Sequence, residues 1–248
     1  MSKSFLIAVL IIFSTILYVL VKKFRAKHIT PVNLIKYKPI TPKNTIIAFD
    51  LHDVIVNYDY IGIIKTFFAS NGKLRLILAM LNPLVWRDII KLIYNHAVAE
   101  QYIVWLGKKH KRLEPYIPLG IKIANCQIVN QEVLAIIKEL KKYGYTLHLF
   151  SNIGTVTYKD FKQKHPEIFQ YFDDVILPSQ ENGYLRKPNH NAFVNYLENK
   201  KTPKNQIIFI DDKVKNVKKA EKYGIIGILF ENHGQLVQEL QKLGILKN

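Results

Sequence analysis

The sequence predicts an α/β fold: a doubly wound parallel sheet with an inserted α-helical unit and an N-terminal transmembrane helix. Three observations carry this. Short apolar runs at residues 45–49, 145–150 and 206–210 have the length and composition of fully buried strands. Helical patterns separate them, which implies parallel strands with helices on both faces. Residues 5–21 form an uncharged apolar run interrupted only by Ser14 and Thr15.

That run lies at the short end of the about 17–25 residues a spanning helix needs. Lys3 precedes it and Lys22, Lys23, Arg25 and Lys27 follow, with no small-x-small cleavage site after it. The expectation is a retained membrane anchor over residues 1–27; a cleaved signal peptide and an ordinary buried helix are the alternatives. The heavier basic flank lies on the C-terminal side, which places the remaining domain in the cytoplasm. Residues 28–44, with Pro31, Pro39 and Pro42, read as an extended linker.

The core is expected over residues 45–56 and 131–248. Residues 57–130 form an insert, and residues 73–81 and 86–94 within it carry apolar side chains at helical spacing, broken at Asn82-Pro83. Its aromatics Trp86, Tyr94, Tyr102 and Trp105 read as packing residues, and His96 and His110 as incidental. Asn130 is a plausible N-cap for a helix over 131–142 that Gly144 stops. There follow a strand to Phe150, a helix at 158–164, a short strand at 175–177 and a helix at 191–199. The strand at 206–210, a helix at 213–222, a strand at 225–230 and a terminal helix complete the chain.

Bulk properties narrow the function only partly. A formal charge of +17 on 248 residues favours anionic partners such as phosphate esters, anionic lipid or nucleic acid. The lysines read as scattered rather than gathered in one arm, and no nucleic-acid-reading motif accompanies them, so no nucleic-acid partner is expected. Cys126 is the single cysteine, which excludes an intrachain disulfide and a thiolate metal cluster; it reads as a small core residue. There is no Walker-type loop, zinc spacing or internal repeat.

The strand ends carry the chemistry. In open α/β sheets ligands bind beyond the carboxyl ends of the strands. The first run ends in Asp50, the second in Ser151-Asn152, the third in Asp211-Asp212, and Lys187-Pro188 lies in a loop between the second and third. Asp50 with Val54 four residues on, Ser151, Lys187-Pro188, and Asp211-Asp212 followed by Asn216 resemble, in order and spacing, the four motifs of the haloacid dehalogenase-like superfamily. The resemblance covers roughly residues 45–232. It implies a Rossmann-like core and identifies the insert with that family's substrate-selecting cap.

The resemblance further implies a hydrolase, foremost a Mg²⁺-dependent phosphomonoesterase in which Asp50 attacks phosphorus and forms an aspartyl-phosphate. Asp50 and Asp212 would ligate the metal, with Asp211 ligating or orienting from behind and His52 contributing its backbone carbonyl. Clustered carboxylates without a cation would raise one another's pKa and repel a phosphate, so a metal is implied on physical grounds as well. Ser151, the Asn152 backbone and Lys187 would hold the phosphoryl oxygens. Asn216 would steady the loop that carries Asp212.

His52 is the departure, since phosphatases of the family have Asp there. Imidazole suits both acid and base roles near neutrality. The anionic cluster is expected to raise its pKa and favour the acid role. Asp53 could substitute in part, with its side chain expected to point away. Two other functions follow from the same residues: a catalytically impaired domain that binds a phosphorylated ligand or protein partner, and a metal-independent carbon–halogen hydrolase. The substrate and the oligomeric state are not legible.

Overall fold

The computed structural model describes residues 39–95, 99–199 and 206–247. The expected anchor at 5–21, its basic flank and most of the linker lie outside these residues, as does His96. No helix among the described residues is long and apolar enough to cross a membrane.

Five parallel strands form the sheet: β1 (Thr45–Phe49), β4 (Thr146–Phe150), β5 (Asp174–Ile176), β6 (Gln206–Asp211) and β7 (Ile226–Leu229), in the order β5-β4-β1-β6-β7. β1 is central and every residue in it is buried, as its unbroken apolar run requires. Alternate side chains of a strand face opposite ways. Ile47 and Phe49 pack with α6 (Gln131–Lys142), α7 (Thr155–Lys164), α8 (Pro166–Phe169) and α11 (His233–Lys242). Ile46 and Ala48 pack with α9 (His190–Asn199) and α10 (Val214–Glu221). This two-sided burial is the physical content of the doubly wound architecture.

The α6 helix shows how local signals fix an element. Asn130 Oδ1 accepts the Val133 amide at 3.2 Å, Glu132 lies in the first turn, and Lys141 and Lys142 lie in the last. Gly144 then takes φ +85°, where a side chain would be strained. Val133, Leu134, Ile136, Ile137 and Leu140 are buried, each contributing about 1.5–3 kcal/mol; Leu140→Ala would cost about 2–5 kcal/mol.

A two-stranded antiparallel ribbon, β2 (Val56–Tyr58) with β3 (Gln127–Val129), forms the root of the insert. Between them run α1 (Tyr60–Ala69), α2 (Lys73–Met80), α3 (Pro83–Asn95), α4 (Ala99–Lys109) and α5 (Ile117–Ala124), plus a 3₁₀ turn at Glu114–Tyr116. The break at Asn82-Pro83 falls between α2 and α3.

Three readings of the insert need correction. His110 is not incidental: its Nε2 lies 2.9 Å from buried Asp88, which also pairs with Lys109 at 2.8 Å and Arg87 at 3.3 Å. Lys109 first, then His110 and Arg87, hold that carboxyl well below the usual range, against the effect of burial. Trp105 is not core, since it is exposed and packed at a tilt against Tyr102 (4.9 Å) under Lys109. Cys126 is only partly buried, with its thiol 3.4 Å from the Lys122 carbonyl and 3.5 Å from Thr66 Oγ1.

Candidate active site

The register aligns the ends of the three central strands. Phe49 lies beside Leu149 and Ile210, so Asp50 and Asp211 emerge at one level beside Phe150, and Ser151 follows one residue on. The Asp50 amide donates to the Ile210 carbonyl (2.8 Å) and the Ser151 amide to Ile176 (3.1 Å). These bonds fix the backbones from which the polar side chains project.

Lys187 arrives from the loop before α9 and is 1% exposed. Its ammonium lies 3.1 Å from Asp50 Oδ1 and 2.8 Å from Asp211 Oδ2, and donates to the Phe150 carbonyl. Three acceptors match the three hydrogens of an ammonium. Asn152 clips the loop in place: its Nδ2 donates to the Lys187 carbonyl and its Oδ1 accepts the Lys187 amide, both at 2.8 Å. Lys187, expected to hold phosphoryl oxygens, is therefore engaged with protein acceptors behind the nucleophile, and does not line the pocket.

Asp211 is fully buried. It accepts the Lys213 amide (2.8 Å) and both its oxygens face Asn216 Nδ2 (2.9 Å). Asn216 thus braces Asp211. Asp212 Oδ1 is buried without a hydrogen-bond partner among the described residues, its nearest cation being Lys213 Nζ at 3.6 Å. Asp50, Asp211 and Asp212 bring one oxygen each within 4.8 Å of one another.

The electrostatics distinguish these carboxyls. Burial alone would raise Asp50, but Lys187, with help from Lys213 and the Leu51 amide, outweighs it and keeps the group below its usual range. Asp50 is thereby an ionised carboxylate. Burial pushes Asp211 up, against Lys187 and with Asp50. Burial, then Asp211, Asp50 and Asp53, push Asp212 up to about 7 against the pull of Lys213. Hard oxygen donors, an orphaned oxygen and a raised carboxyl fit a divalent cation such as Mg²⁺, whose binding requires the deprotonated form.

Above this cluster lies a pocket of about 170 Å³ lined by Asp50, His52, Asp53, Ser151, Asn152 and Lys213, with Tyr58 and Gln127 from the ribbon. Whole small-molecule sites run about 300–1,000 Å³. This one suits the reacting end of a substrate, the remainder lying outward. Ser151 Oγ accepts the Ile153 amide at 3.3 Å and keeps its own hydrogen for a ligand.

His52 differs from expectation. Burial lowers its pKa and Lys213 and Lys187 reinforce this, together outweighing Asp50 and Asp53. Gln127 Nε2 donates to the Ala124 carbonyl (3.1 Å) and lies 2.9 Å from His52 Nε2. With one amide hydrogen on Ala124, the other points to His52 Nε2, which then carries no proton; the imidazole is neutral and Tyr58 stacks beside it at 6.2 Å. This disfavours the acid role, and a base role needs the Gln127 amide to give up Nε2. Asp53 does not point away either: it lines the same pocket from a left-handed backbone, φ +61°, a conformation that suits Gly.

Residues 47–230 match the family model described as haloacid dehalogenase-like hydrolase. The chain belongs to that family. Among curated proteins it is 25% identical to the sesquiterpene phosphatase astK of Aspergillus oryzae over 118 residues, 48% of this chain and 59% of that protein. The match therefore spans little more than half of the relative's length. Solved structures of this family share the fold. The L-2-haloacid dehalogenase RSc1362 superposes with a TM-score of 0.55 at 14% identity, covering 80% of this chain and 99% of that one. The hydrolase YfnB of Bacillus subtilis, bound to magnesium, gives 0.50 at 15% identity, covering 76% of this chain and 87% of that one.

Lys213, Tyr58, Gln127 and the Asn152 side-chain clip were not picked out from the sequence. Lys213 directly follows the paired aspartates, and its neighbours in sequence were the one available signal for it.

Proposed function

We propose that this hydrolase is a Mg²⁺-dependent phosphomonoesterase working through an aspartyl-phosphate on Asp50, anchored in a membrane by residues 5–21 with its domain in the cytoplasm. The observation that carries the chemistry is the carboxylate cluster with an Asp212 oxygen that has no hydrogen-bond partner among the described residues. A cluster of this kind calls for a cation, which displacement of halide from carbon does not need. The likeness to a sesquiterpene phosphatase supports a phosphate ester as substrate.

The mechanism follows from the side chains. Asp50, held ionised by Lys187, attacks phosphorus as the ester oxygen departs. Lys213 and the Ser151 hydroxyl, both on the pocket wall, face the phosphoryl oxygens and stabilise charge as it develops. Neutral His52, once the Gln127 amide gives up Nε2, takes a proton there from the water that opens the aspartyl-phosphate. Asp53, on the same wall, can relay a proton from water to the leaving oxygen. Mg²⁺ held by Asp50, Asp212 and the His52 carbonyl, with Asp211 behind, would neutralise phosphate charge. The helical insert, through Tyr58, Ala124 and Gln127, acts as the cap that selects substrate.

The test is a screen of the full-length protein on phosphomonoesters and 2-haloacids, with Mg²⁺ and with chelator. Phosphate release that requires Mg²⁺ is the expected result. Halide release in chelator would establish the dehalogenase reading, and inactivity on every substrate would leave a binding domain.

A further inference from the structure

The insert buries little and exposes much. Among the described residues its own buried apolar cluster is Ala79, Val85 and Leu113. Of thirteen exposed large hydrophobic residues among the described residues, twelve fall between Tyr58 and Ile128, and only Tyr184 belongs to the core. They are not scattered along the helices. In α1, Tyr60, Ile61, Ile64 and Phe68 follow helical spacing along one side, and in α2 with its cap so do Leu74, Leu78 and Leu81. Lys73 Nζ donates to the Phe68 carbonyl (2.8 Å), tying the start of α2 to the end of α1. Exposed apolar stripes of this extent mark an interaction surface rather than ordinary surface variation.

Charge identifies what the surface meets. The lysines are less scattered than they read at first. Residues 1–44 hold eight basic and no acidic side chains, and residues 57–130 hold ten basic and four acidic, so these stretches carry +14 of the total +17. In the insert Lys65 and Arg75 are exposed beside the apolar stripes, and Lys108, Lys109, Lys111 and Arg112 are exposed at the end of α4 and just beyond it. Apolar stripes flanked by basic side chains are the composition of helices that lie in the plane of an anionic bilayer.

We infer that the α1–α2 face of the insert docks onto the surface of an anionic phospholipid bilayer. This goes beyond a tether at residues 5–21 and is independent of the catalytic reading. It places the domain against the membrane, with the insert as the contacting element.

The test uses full-length protein with Cys126→Ser, so that single cysteines can be introduced by Ile64→Cys, Leu78→Cys and, as a core control, Glu231→Cys. Each carries an environment-sensitive fluorophore, with circular dichroism checking the fold. In vesicles containing phosphatidylglycerol, labels at 64 and 78 should shift to the blue and be quenched by nitroxide-bearing lipid, while that at 231 stays open to aqueous iodide. Pure phosphatidylcholine vesicles should give clearly weaker quenching. Equal quenching in both vesicle types would overturn the anionic-lipid assignment. Labels at 64 and 78 as open to iodide as that at 231 would overturn docking, even if an alkaline wash shows the protein to be anchored. Shielding from iodide in buffer with neither lipid nor detergent would also overturn it. Dependence on protein concentration would then assign the face to a second copy, and independence to the chain's own apolar segment.

Discussion

The Lys187 ammonium lies 3.1 Å from the Asp50 carboxylate, at 1% exposure, with Asp211 2.8 Å away on its other side. One buried cation therefore holds the attacking carboxylate ionised and separates it from a second acid. Removing it leaves two buried carboxylates without their shared cation.

Lys187→Met should cost about 3–5 kcal/mol of stability, the usual effect of breaking a buried pair from one side. Loss of the cation should also raise the pKa of Asp50, so the acid limb of the rate profile should move to higher pH. Asn152→Ala tests the same geometry more gently, removing the clip on the Lys187 backbone at about 1–3 kcal/mol. Denaturant melts with pH–rate profiles measure both. An unchanged acid limb in Lys187→Met would separate Lys187 from the nucleophile.

The acidic cluster should bind Mg²⁺ and be stabilised by it. At a hundredfold excess over the dissociation constant the gain is about 2.7 kcal/mol, seen as a higher melting temperature. Asp212→Ala should weaken this effect more than Asp211→Ala, because Asp212 has the free oxygen while Asp211 is braced by Asn216 and Lys187. Proton release should accompany binding near neutral pH, since Asp212 is pushed up to about 7 without a metal. No stabilisation by Mg²⁺ in the wild type would remove the metal from the account.

His52→Ala should reduce the rate about 10²- to 10⁴-fold, the usual contribution of a general base. The residue is half-buried at the pocket wall and its pKa is lowered, so the neutral form persists to lower pH. The rate should fall on acidification through a value below that of ordinary histidine. Gln127→Ala removes the amide that faces Nε2 and should change this limb. His52→Asp should preserve or raise activity. An unchanged rate in His52→Ala would turn attention to Asp53.

Much of this arrangement was legible in the sequence because buried strands leave little room for ambiguity. The run ending at Asp50 is apolar until the carboxylate, and a strand end at a crevice accounts for that change. The paired aspartates after residue 210 and Ser151 after Phe150 follow the same rule. What remained hidden depends on contacts between distant segments. Asn152 and Lys187 are 35 residues apart and Gln127 and His52 are 75 apart, and neither pairing leaves a local pattern. The ribbon that brings Tyr58 and Gln127 to the pocket consists of two three-residue strands, too short to show a period. The direction of the His52 shift was missed for a related reason. Its acidic neighbours Asp50 and Asp53 are visible beside it in sequence, whereas burial and the two lysines come from the fold.

The most direct test of the account is the covalent step. Full-length protein mixed with an active phosphomonoester and Mg²⁺, quenched in acid and digested, should yield a peptide carrying phosphate on Asp50. Asp50→Asn should yield no such peptide and no phosphate release while keeping the wild-type circular dichroism spectrum. Sustained turnover by Asp50→Asn, or phosphate found on another residue, would contradict the assignment of Asp50 as the nucleophile.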